Sequence, residues 1–187
     1  MKKFLVMAAM VLSSVGAFAQ YEAGDITIQP KIGLNCSNLT DYSTDGDTDW
    51  KAGLTVGVEG EYHIKHWLGI SAGLMYSQQG TKFGETKLNM DYLNVPVLAN
   101  FYVTKGLALK AGVQPGFKVS SKTKQDGVSV DNKGVKSTDW SMPIGISYEY
   151  LGFCLDARYT LGVSDAIKNM DAKNQVFSLT LGYKFKL

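Results

Sequence analysis

Eight stretches of this chain alternate apolar and polar residues one by one, each for about ten residues. Side chains on a strand point to opposite faces with period two, so such a stretch is a strand with one oily face and one wet face. The last stretch is the clearest. Phe177, Leu179, Leu181, Tyr183, Phe185 and Leu187 share one face, and Ser178, Thr180, Gly182, Lys184 and Lys186 share the other. The same pattern predicts strands over Ile26–Ser37, Lys51–His63, Leu68–Gln79, Met90–Val103, Leu107–Ser120, Trp140–Tyr150 and Phe153–Gly162. The stretch from Met90 is the least regular, because Leu98 interrupts its polar face.

The connections alternate in length. His63–Trp67, Thr104–Gly106 and Leu151-Gly152 are short; Asn38–Trp50, Gly80–Asn89, Ser121–Asp139 and Val163–Asn174 are long and polar. Tight turns on one rim and long loops on the other predict an all-β fold, an eight-stranded antiparallel up-and-down transmembrane β-barrel. Aromatic residues fall near both ends of the apolar faces, as in the belts of membrane interfaces. Tyr76, Phe117, Trp140, Tyr159 and Phe177 lie towards the loops, and Tyr62, Trp67, Phe101, Tyr148, Phe153, Tyr183 and Phe185 lie towards the turns. Pro30, Pro96, Pro115 and Pro143 all fall inside predicted strands. Proline cannot donate to a ladder, so bulges or strand-end irregularities are expected there.

Residues 1–19 read as a secretory signal peptide: Met1-Lys2-Lys3, an apolar run Phe4–Leu12, and the small-x-small site Ala17-Phe18-Ala19. The run is shorter than the ~20 residues of a membrane-spanning helix. The expected barrel domain is then 20–187. Without Lys2 and Lys3, 17 basic residues face 17 acidic ones, so the charge balance gives no sign of nucleic-acid binding. Cys36 and Cys154 are predicted to sit near opposite rims, too far apart for a disulfide, and so to be free thiols.

Four segments carry a family resemblance: Tyr92-Leu93-Asn94-Val95-Pro96-Val97-Leu98, Gly73-Leu74-Met75-Tyr76-Ser77-Gln78-Gln79-Gly80, Arg158-Tyr159-Thr160-Leu161-Gly162 and Gly182-Tyr183-Lys184-Phe185. The chain resembles the PorT-like outer membrane β-barrel domain family, also labelled porin family. The resemblance implies an eight-stranded barrel in the outer membrane of a Gram-negative bacterium. It implies no common substrate; one branch of the family serves protein secretion. The chain ends in Leu187, where such barrels commonly end in an aromatic residue.

Alternation alone also fits a soluble lipocalin-like barrel, which turns its apolar face inward around a small apolar ligand in the periplasm. Glycines crowd the polar face (Gly33, Gly57, Gly73, Gly112 and Gly145 among them) and suit a narrow lumen, which favours the membrane version. A barrel of this size has room for side chains and little else. Its lumen is expected to hold Lys31, Glu59, Glu61, Lys110, Glu149, Asp156, Arg158 and Lys184, paired in a salt-bridge network that plugs it rather than conducts.

Two loops offer candidate sites. Asp41, Asp45, Asp47 and Asp49 resemble the start of a calcium loop, but no bidentate Glu follows at the required spacing. Lys122, Lys124, Lys133 and Lys136 place basic charge where lipopolysaccharide phosphates would lie. No catalytic constellation is evident. His63 and His66, the only histidines, flank a turn without Ser or acid partners, and two ligands are too few to define a metal site. The sequence thus predicts a barrel without cofactor or enzymatic role, embedded in outer-membrane lipid and lipopolysaccharide. Its loops would meet a surface or secretion partner protein, or serve envelope structure.

Overall fold

The computed structural model describes residues 21–40, 49–83, 86–125, 128–131, 137–165 and 173–187. The elements are β1 (Ile26–Thr40), β2 (Asp49–Lys65), β3 (Leu68–Phe83), β4 (Thr86–Asn94), β5 (Val97–Thr104), β6 (Leu107–Gln125), β7 (Val128–Asp131), β8 (Thr138–Tyr150), β9 (Phe153–Asp165), β10 (Lys173–Tyr183) and β11 (Phe185–Lys186). β4 and β5 form one interrupted stave, as do β10 and β11; β7 pairs only with β6. The eight staves close into an antiparallel barrel where β1 meets β10, from Lys31↔Gly182 to Thr40↔Lys173. Closure leaves the barrel wall without a free edge.

The wall faces the way a membrane requires. Ile32, Leu34 and Leu181 are 61%, 62% and 52% exposed on the outside, whereas Lys31, Glu59 and Asp156 are 3%, 3% and 1% exposed within. The lipocalin-like alternative needs the reverse orientation, with apolar residues around the axis, and is set aside on this ground. Cys36 and Cys154 are both free, on the outer and the inner face of the wall.

Several strands run further than hydropathy predicts. β3 and β4 continue past the apolar band to Phe83 and from Thr86, so most of the segment expected as the Gly80–Asn89 loop is a ribbon in register. β6 likewise reaches Gln125, which places Lys122 and Lys124 on a strand and not in a loop. Asp49 begins β2. Beyond the hydrocarbon the outer face no longer needs apolar residues, so the pattern ends while the hydrogen-bond ladder goes on.

At the four prolines the structure shows ladder gaps without any change of register. Pro30 pairs with Val58 on one side; on the other, β1 passes from β10 to β11 between Lys31↔Gly182 and Ile28↔Phe185. Pro143 pairs with Thr160, while its β6 side lapses between Ala111↔Ile144 and Gln114↔Ser141. Pro96 and Pro115 share the gap between β4 and β5, where the Val95 amide donates to the Pro115 carbonyl at 2.9 Å. Each missing N–H is confined to one side of one strand. The strand end expected at a proline occurs at Val95-Pro96, between β4 and β5, whereas the bulges lie elsewhere, for example between Asp91 and Tyr92 and between His63 and Lys65.

Small radius imposes its own demand. A Cβ on Gly112 would lie 2.0 Å from the Val97 carbonyl oxygen of the neighbouring strand. Gly112→Ala is therefore expected to destabilise the barrel by about 1–3 kcal/mol. Urea unfolding in detergent micelles measures this, and an unchanged midpoint would refute it. The tight end is formed by two-residue turns such as Leu151-Gly152, both at positive φ (50° and 83°), the conformation that matches strand twist.

Candidate functional site

The inward positions of β1, β2, β6 and β9 bring five charges together near mid-lumen. Lys31 Nζ lies 3.2 Å from Glu59 Oε2 and 3.4 Å from Asp156 Oδ2. Lys110 Nζ lies 3.2 Å from Glu59 Oε1 and 3.0 Å from Asp156 Oδ2. Arg158 Nη2 donates to both acids, at 3.1 and 2.9 Å. Two carboxylates thus bridge three cations, all removed from water.

A second tier lies towards the turn end. Lys184 sits in the gap between β10 and β11, with Nζ 2.8 Å from Glu61 Oε2 and 3.3 Å from Glu149 Oε2. Tyr102 donates its hydroxyl proton to Glu61 Oε1 at 2.7 Å, and Lys184 donates to the Tyr102 oxygen at 2.8 Å. Tyr21, from the segment before β1, donates to Glu149 Oε1 at 2.7 Å. The first tier carries three cations and two anions, the second one cation and two anions, so the two tiers balance each other. Desolvating eight charges is costly, and only such multiple contacts offset it.

Between the charges and the loop end the lumen is filled by polar and apolar side chains. Asn35 donates to Ser77 at 2.8 Å, and Ser37 donates to the Gly80 carbonyl at 2.8 Å. Met75, Met90, Tyr92 and Leu98 are buried inside. Beside Lys31 and Arg158 the open space amounts to about 30 Å³, room for a single water. At the turn end a wider vestibule of about 340 Å³ is lined by Tyr21, His66, Trp67, Tyr102, Lys105 and Glu149 among others.

All eight lumen residues named from the sequence fall in these two tiers. The loop candidates fall largely outside the described residues. Asp41, Asp45 and Asp47 lie outside the described residues, as do Lys133 and Lys136, and Asp49 pairs in the ladder with Lys82. Among the described residues no three His, Cys, Asp or Glu side chains are grouped to hold a metal ion. His63 is buried in the lumen and His66 borders the vestibule.

Tyr21, Tyr92, Leu98 and Tyr102 were not singled out as lumen residues from the sequence. For Tyr92, Leu98 and Tyr102 the signal is parity: they share the polar face with Asn94 and Asn100. Tyr21 precedes the first strand, and no alternation reaches it.

A closed barrel with an oily outer wall and a charge-filled interior is an integral membrane β-barrel. Residues 18–168 match the family model of the outer membrane protein beta-barrel domain, and the chain belongs to that family, placing it in the outer membrane. Its fold is similar to that of Ail, the attachment invasion locus protein of Yersinia pestis (18% identity, 88% of this chain and 100% of that chain covered, TM-score 0.57). It is also similar to Neisserial surface protein A (13% identity, 86% and 97% covered, TM-score 0.60). A third similar fold is OprG from Pseudomonas aeruginosa (15% identity, 90% and 99% covered, TM-score 0.50). Among curated proteins, none matches the sequence significantly.

Proposed function

We propose that this protein is a non-conducting, non-enzymatic outer-membrane stave whose rigid wall presents an external ribbon to the polyanionic surface of lipopolysaccharide. Residues 1–19 serve as its signal peptide and 20–187 as the barrel. The lumen network plugs the interior and stiffens the wall. The single observation that carries the surface role is a row of lysines. In the ribbon beyond the apolar band, Lys82 pairs with Lys87 and Lys87 pairs with Lys124, so three cationic residues occupy one register line across β3, β4 and β6. Asp49 closes one end of the row and Ser129 the other; Lys122 stands two residues away, opposite Asn89. Like charges directly opposite one another destabilise a sheet. A bound polyphosphate reverses that sign by bridging them.

Ail has been solved with the heparin analogue sucrose octasulfate, a polyanion of the class this row would take. The PorT-like motifs support the same placement in the envelope and name no secretion partner.

The test compares the wild type with the triple variant Lys82→Gln, Lys87→Gln, Lys124→Gln for binding purified lipopolysaccharide in micelles. The variant is expected to bind about tenfold more weakly at low salt and to lose most of the salt dependence. Equal affinity and equal salt dependence would remove the row from the function.

A further inference from the structure

The residues before β1 do more than lead into the barrel. Gly24, at φ 98°, sits in a turn over Glu22–Asp25 in which the Asp25 amide donates to the Glu22 carbonyl at 3.2 Å. This turn folds the chain back across the short-turn mouth. Two backbone bonds tie it to β2, from the Gly24 amide to the His63 carbonyl (2.8 Å) and from the His63 amide to the Asp25 carbonyl (2.9 Å). The Asp25 carboxylate meets Lys186 Nζ at 2.6 Å and accepts from the Glu22 amide at 2.9 Å. Those bonds hold its carboxyl below the usual range, the Lys186 contact first. The reversal sends Tyr21 into the mouth. Its ring stacks on His63 with centroids 4.2 Å apart and 14° between planes. It also faces Lys184 Nζ at 5.1 Å, and its hydroxyl reaches Glu149.

One feature opposes this closure. Both ring nitrogens of His63 are buried without a hydrogen bond, with Glu61 Oε1 3.9 Å from Nε2, and His63 is 0% exposed. Burying such a group without a hydrogen bond is unfavourable, and water would relieve it on opening. The contacts of Tyr21 and the thirst of His63 therefore oppose each other across one short segment, beside an existing vestibule.

We propose that Tyr21–Asp25 form a hinged lid over the periplasmic mouth of the lumen, with Tyr21 as its stopper and the Asp25–Lys186 ion pair as its latch. Opening hydrates the lower charge tier and leaves the upper tier closed, so the lid controls access to a blind periplasmic chamber and not a pore.

Cys154 is a native reporter. It is 1% exposed, shares the inward face of β9 with Asp156 and Arg158, and pairs in the ladder with Glu149 and Gly182. In a Cys36→Ser background, a charged, membrane-impermeant methanethiosulfonate reads its access from the periplasmic mouth. Heat-modifiable gel mobility checks that each variant has folded. Tyr21→Ala is expected to raise the labelling rate about tenfold or more, with smaller increases for Tyr21→Phe and Asp25→Asn. Should Tyr21→Ala not fold, the rate for Asp25→Asn decides. Labelling of folded Tyr21→Ala or Asp25→Asn no faster than that of the parent would overturn the lid.

Discussion

Replacing Glu59 with alanine is expected to cost the barrel about 3–5 kcal/mol, because it strands buried cations. Glu59 contacts Lys31, Lys110 and Arg158 at once, and each of the three is also paired with Asp156. Without Glu59, one carboxylate would have to neutralise three cations in a space with little room for water. Urea titration in micelles, followed by heat-modifiable mobility, gives the loss. Adding Lys110→Met to Glu59→Ala is expected to recover part of it, since the double variant removes a charge as well as its partner. A loss below about 1 kcal/mol for the single variant would mean that the tier is hydrated and not a dry plug.

Leu179→Arg is expected to cost about 2–4 kcal/mol through the opposite wall. Leu179 lies 45% exposed on the outer face, two residues from Phe177 and four from Tyr183, and so between the two aromatic belts. Arginine there puts a charge against mid-bilayer hydrocarbon. Lys186→Arg, at the turn end, keeps the positive charge that faces Asp25 and is expected to have almost no effect, since a long cationic side chain near an interface reaches water. The measurement is equilibrium unfolding in liposomes. A Leu179→Arg variant as stable as the parent would show that this face does not meet lipid. The Glu59 and Leu179 variants probe opposite sides of one wall, and they are expected to act additively because they share no contact.

The staves were legible in the sequence because alternation is local. Each side chain's face follows from the pleat of its own strand, so Lys31, Glu59, Lys110, Asp156 and Arg158 could be assigned to one side without knowing their neighbours. Leu98 read as a flaw in that pattern. In the structure it is an apolar plug, 1% exposed, in the same lumen as Tyr92. The ribbon lengths were less legible, since Lys82, Lys87 and Lys124 stand where neither face is under hydrophobic demand. Their mutual register was hidden too, because it depends on how β3, β4 and β6 align. Tyr21 lay outside every period, and a turn with one positive-φ glycine decided where it went.

What the chain order determined by itself is therefore the partition of residues between two faces and the alternation of short and long connections, both consequences of backbone geometry over a few residues. Which partner each charge meets was decided only by closure. Lys31 and Asp156 are 125 residues apart, and Arg158 and Glu59 are 99 apart, yet each pair is in contact across the lumen. No local rule relates such positions. The curvature and register of the closed wall bring them within reach, and their desolvation then leaves them little choice but to pair.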